Sequence, residues 1–102
     1  MTNANLAALS AAGVSVWLDD LSRQLIVSGE LAARMSTYSV VGVTTNPAIF
    51  QSALADSSAY ESALAEAVAD DRDVDSVVRA LTTADVRDAC DVLRGVYERT
   101  GT

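Results

Sequence analysis

Val14-Ser15-Val16-Trp17-Leu18-Asp19-Asp20 and Val40-Val41-Gly42-Val43-Thr44-Thr45-Asn46-Pro47 share one construction, a short β-rich apolar run that stops abruptly in polar residues. In the first run only Ser15 interrupts the apolar character, as expected of a strand covered on both faces in a parallel sheet. Between them, Leu21 to Thr37 reads as helical, broken at Ser28-Gly29, with a second helix through Glu30-Leu31-Ala32-Ala33-Arg34-Met35. Strand, helical crossover and strand make a parallel βαβ unit, right-handed by strong preference.

The flanking segments are helical in pattern. Asn3 to Ala12 is rich in alanine and leucine, and Gly13 follows where a helix end favours positive φ. Pro47 suits a first helical position, followed by the apolar Ala48, Ile49, Phe50, Ala53 and Leu54. Tyr60, Leu64 and Val68 share a face at helical spacing, with Ser57 or Ser58 as a cap. Val74, Val77, Val78 and Leu81 follow the i, i+3, i+4, i+7 rule. Thr82-Thr83-Ala84-Asp85 resembles a capping box that opens a last helix with the stripe Val86, Ala89, Cys90, Leu93 and Tyr97, ending near Gly101. The expected fold class is α/β, helix-rich with two parallel strands. Two strands neither bury both faces nor close their edges alone. Residues 1–102 are therefore expected to form a single incomplete domain, completed by further strands.

Composition narrows the chemistry. The chain of 102 residues is 50% hydrophobic with a formal charge of −7, so it can build a core and does not match a nucleic-acid backbone or an anionic membrane surface. Its seven basic residues are all arginine, spread from Arg23 to Arg99. No uninterrupted apolar run has the length of a bilayer span, and no secretory signal is visible at the N-terminus, so the expected compartment is the cytoplasm. Histidine is absent, which removes the commonest general base and metal ligand. The single Cys90 excludes an internal disulfide and a thiolate zinc site, and its place on an apolar stripe reads as a buried thiol. Lysine is also absent, so no side-chain amine can form an imine with a carbonyl substrate. Neither a metal nor a cofactor is expected. Asp71-Arg72-Asp73-Val74-Asp75 begins like a calcium loop, but Ser76 and Thr82 stand where that loop needs Gly and Glu. Trp17 reads as packed core.

Asp19 falls at the C-terminal end of the first strand, the edge on which active sites of parallel α/β folds assemble. It suits a general acid/base or an orienting group toward a substrate hydroxyl. It also suits capping the following helix, with Asp20 as the other candidate. Thr44, Thr45 and Asn46 end the second strand and offer neutral donors and acceptors for a polyhydroxylated ligand. An ordinary strand-to-helix turn with Thr or Asn as N-cap accounts for the same residues. Adjacent strands lie roughly 5 Å apart, so Asp19 and Asn46 can converge on one small polar ligand.

Trp17-Leu18-Asp19-Asp20-Leu21-Ser22-Arg23, then Ser28-Gly29, then Ser39 through Phe50 with its Thr44-Thr45-Asn46-Pro47, resemble the N-terminal region of bacterial transaldolases, the actinobacterial type most of all. Leu81 through Leu93 continues the likeness, which covers nearly the whole chain. The resemblance implies a (β/α)8 TIM barrel of which this chain holds the opening βαβ segment and helices, truncated well short of the about 250 residues such barrels need. It implies transfer of a dihydroxyacetone unit between sugar phosphates through a Schiff base on a lysine of a later strand, in the pentose phosphate pathway. Sedoheptulose 7-phosphate and glyceraldehyde 3-phosphate would give erythrose 4-phosphate and fructose 6-phosphate. By the same resemblance Asp19 is the catalytic proton shuttle at the donor's C4 hydroxyl, and Asn46 binds the dihydroxyacetone portion, with Thr44 and Thr45 shaping the pocket. The chain alone is expected to be inactive. Arg23 and Arg34, on the crossover, are expected on a solvated helix face. The alternative is a non-catalytic helical interaction module derived from the family.

Overall fold

The computed structural model describes residues 2–19, 21–46, 48, 52, 58–70 and 72–101. The expected helix across Pro47 to Leu54 lies for the most part outside them, as do Asp20, Ser57 and Asp71.

Helix α1 spans Ala4–Ala11, with the Asn3 side chain accepting from the backbone N–H groups of Asn5 and Leu6, both at 3.1 Å. These are donors that a helix start otherwise leaves open. Gly13 follows with φ +95. Strand β1 is Val16–Leu18, shorter than the apolar run suggested, and β2 is Val40–Val43. The crossover is made of α2, Arg23–Val27, and α3, Glu30–Tyr38, separated at Gly29, whose φ of 80 accommodates the reversal. Ser22 caps α2 by accepting from Leu25 N–H at 3.2 Å. The strands pair in parallel, matching Val16 with Val40, Trp17 with Gly42 and Leu18 with Val43. Between the first two matches the register shifts, leaving Val41 as the additional residue on β2.

A short 3₁₀ turn, Ser58–Tyr60, leads into α4, Glu61–Ala69, so Ser58 sits within the turn and the α4 N-terminus has no side-chain cap. Helix α5 then runs unbroken over Val74–Val92, and α6 covers Arg94–Thr100, closed by Gly101 at φ 75. Asp73, part of the rejected calcium pattern, caps α5 by accepting from Ser76 N–H at 2.8 Å.

Leu21, Leu25, Leu31 and Ala89 form the buried centre, with Leu18, Ile26, Val43 and Val92 packed against it. The crossover helices and α5 thus cover one side of the sheet. On α4 the buried residue is Ala67, while Leu64 and Val68 of the expected stripe are exposed. Cys90 is exposed, and Trp17 is 59% exposed. Both depart from the sequence expectation, which assigned apolar residues to a core without knowing which flanks of the sheet and of α5 are covered.

The Thr82–Asp85 segment departs further. It opens no helix: it lies inside α5, and Asp85 is completely buried. Its carboxylate accepts from Arg23 Nε at 2.7 Å and, through its other oxygen, from the Tyr60 hydroxyl. The Tyr60 oxygen accepts in turn from Arg23 backbone N–H at 3.1 Å, and the Arg23 guanidinium lies 4.6 Å from the Tyr60 ring centroid. Arg23 is thus not on a solvated face; Arg34 pairs with Glu30 one turn away at 2.6 Å. Burial, then the hydrogen bond to Asp85, push the Tyr60 phenol from 10.0 up to about 12. Because the folded value lies above the unfolded one, this contribution to stability is complete below about pH 10 and disappears as pH rises through about 12. Urea unfolding of the wild-type chain is therefore expected to show a loss of stability across that interval. Tyr60→Phe should lack that loss, and identical alkaline profiles for the two chains would contradict the assignment.

Candidate functional site

Asp19 is the first residue after β1, and Thr44 the first after β2. Thr44 N–H donates to Leu18 carbonyl at 2.9 Å, which carries the parallel ladder one step past the strands. That step draws the two side chains together: the Thr44 hydroxyl donates to the Asp19 carboxylate. Asp19 is exposed and Thr44 half-buried, so the pair sits at the surface of the C-terminal sheet edge. A carboxylate held by one hydroxyl keeps further lone pairs for a second donor, such as a hydroxyl of a bound ligand. Asp19 thus makes a contact across the sheet edge, and the cap of α2 is supplied by Ser22.

Thr45 and Asn46 follow on the same strand end, both exposed. Thr45 lines a groove of about 650 Å³ together with Val43 of β2 and Val86, Cys90 and Leu93 of the α5–α6 region. The structure therefore joins Asp19 to Thr44 and gives Thr45 different surroundings.

Trp17 lies two residues before Asp19, against β2. A Cβ added to Gly42 would stand 2.7 Å from two ring carbons of Trp17, so the absence of a side chain at position 42 leaves room for the indole. Sequence reading took Gly42 only as part of a β run; a glycine among valines is the signal that a neighbour approaches the backbone closely. The Arg23–Tyr60–Asp85 cluster was also missed, because its members are 37 and 25 residues apart and no motif links them.

Among the described residues no group of three or more His, Cys, Asp or Glu side chains is arranged to hold a metal ion. None of the described helices is long and apolar enough to cross a membrane.

Parallel strands joined by helices, with polar groups meeting at the C-terminal edge, are the construction of an α/β barrel segment. A sequence profile for the Transaldolase/Fructose-6-phosphate aldolase family matches residues 16–101, and the chain belongs to this family. Its fold is accordingly that of the opening part of the family's TIM barrel. A transaldolase of Mycobacterium tuberculosis is 62% identical over 96 residues, and one of Mycolicibacterium paratuberculosis is 60% identical over the same length. Each match takes in 94% of this chain and 26% of the relative. A Mycobacterium marinum transaldolase is 58% identical over 99 residues, 97% of this chain. The chain thus spans about a quarter of the length of the curated relatives it matches.

Proposed function

We propose that this chain supplies the proton-transfer and donor-binding part of a transaldolase site. The observation that supports the reading is the Thr44 hydroxyl on the Asp19 carboxylate, at the C-terminal edge of two parallel strands. In this reading the donor ketose phosphate is held as an imine on a lysine that residues 1–102 do not contain. The C4 hydroxyl gives its proton to Asp19 as the C3–C4 bond breaks, and the bonding pair moves into the protonated imine, which prevents an unstabilised carbanion. Asp19 returns the proton when the dihydroxyacetone unit adds to the acceptor aldose. Asn46 hydrogen-bonds that unit, and Thr44 and Thr45 bound the pocket. Sedoheptulose 7-phosphate and glyceraldehyde 3-phosphate are the substrates, in a cytoplasmic pentose phosphate pathway.

The test is a graft: this chain replaces the matching 96-residue portion of the Mycobacterium tuberculosis transaldolase. Transfer of dihydroxyacetone units by the graft is expected. A folded graft with no transfer activity would sink the proposal and favour an interaction module. The isolated chain is expected to be inactive. Incubated with fructose 6-phosphate and reduced with borohydride, it should gain no mass apart from any adduct at the Met1 α-amino group. An adduct elsewhere in this lysine-free chain contradicts the proposed division of labour.

A further inference from the structure

We propose that Asp85 is a positioning residue which, through Arg23 and Tyr60, fixes the start of α2 and with it the end of the loop that carries Asp19. Arg23, the first residue of α2, stands four positions after Asp19, at the far end of the loop leaving β1. Tyr60 ends the 3₁₀ turn that leads into α4. Each is bound to Asp85 by its own carboxylate oxygen, and the two are bound to each other through the Arg23 N–H and the Tyr60 oxygen. The three side chains form a closed ring of contacts, and Arg23 adds a further donation to Leu81 carbonyl at 3.4 Å.

Three properties distinguish this ring from ordinary surface pairing. Asp85 and Tyr60 are fully buried, so water does not compete for their bonds. The Tyr60 oxygen takes up an N–H of the first turn of α2, which no intrahelical carbonyl can accept. The guanidinium presents a planar fork that bonds both the carboxylate and a helix carbonyl, which fixes its orientation as well as its charge. Apolar burial of Leu21 and Leu25 holds α2 against the core but is non-directional. The ring supplies direction, fixing where the β1 loop ends relative to α5 and the 3₁₀ turn. The consequence for Asp19 rests on the proposed function; the coupling of α2 to α5 and the 3₁₀ turn does not.

Hydrogen exchange on the full 102-residue chain tests the coupling, wild type against Tyr60→Phe, which removes one hydroxyl and retains the ring. Amide exchange at Arg23 is expected to quicken about tenfold, as the loss of hydrogen bonding to one hydroxyl implies, while α1 and the middle of α3 keep their rates. Equal acceleration everywhere, or none, overturns the proposal. Should Tyr60→Phe fail to fold, Arg23→Lys provides the same comparison, with the same two outcomes. In the graft, Tyr60→Phe is expected to lower kcat several-fold with KM unchanged. A graft that is active, dependent on Asp19 and indifferent to Tyr60→Phe overturns the positioning role and leaves the proposed function standing. An inactive graft with the local exchange pattern intact overturns the proposed function and supports the coupling.

Discussion

Arg23→Ala is expected to destabilise the chain by about 3–5 kcal/mol, because it leaves a carboxylate in the interior without its counter-charge. Asp85 has no exposed surface to recover hydration, and the Tyr60 hydroxyl supplies one neutral donor where an ionic one was lost. Asp85→Ala should cost less, since the Arg23 side chain retains 18% exposure and its flexible stem can carry the charge toward water. This asymmetry identifies burial of the anion as the cause. The paired change Arg23→Met with Asp85→Leu removes both charges and should recover much of the loss. Leucine also has the higher helix propensity within α5. Urea titration of the four chains measures all of this. An Arg23→Ala loss below about 1 kcal/mol, in the range of exposed ion pairs, would show that the contact contributes little.

Asp19→Asn in the grafted enzyme is expected to lower kcat by about 10²–10⁴-fold, the usual worth of a positioned general acid/base, with little change in KM. The amide keeps the size of the carboxylate and can still accept from Thr44, so the sheet edge should survive while proton transfer fails. Thr44→Val removes only the hydroxyl that orients Asp19, and about a tenfold loss is expected, on the scale of one hydrogen bond. Steady-state kinetics separate the two. An Asp19→Asn graft within tenfold of the parent would remove Asp19 from the chemistry, whatever its geometry.

Local pattern carried much of this architecture in the sequence itself. Asn3 and Gly13 delimit α1, Gly29 divides the crossover, Gly101 closes α6, and each does so through backbone requirements confined to a few residues. The strand ends were legible for the same reason, and with them the place of Asp19 and Thr44 at one sheet edge; the bond between these two side chains was not. What was not legible depends on distant partners. Thr82 to Asp85 looks like a helix start, yet Arg23 and Tyr60 give Asp85 an interior environment and α5 runs straight through. Periodicity nominated Leu64, Val68, Cys90 and Tyr97 equally with Leu81 and Ala89, but which part of a helix is covered depends on neighbours it does not encode. For the candidate site, spacing indicated which residues share an edge. The ring behind them, joining residues up to 62 positions apart, required coordinates.

The chain's single tryptophan stands on the sheet beside Gly42, open to solvent and two positions from Asp19. Its indole is therefore a built-in optical probe of that edge. In the isolated chain its emission should be red-shifted and readily quenched by iodide. In the graft, where further strands close over the sheet, it should move to shorter wavelength and become protected. Assembly of the barrel around this segment can thus be followed without attaching a dye.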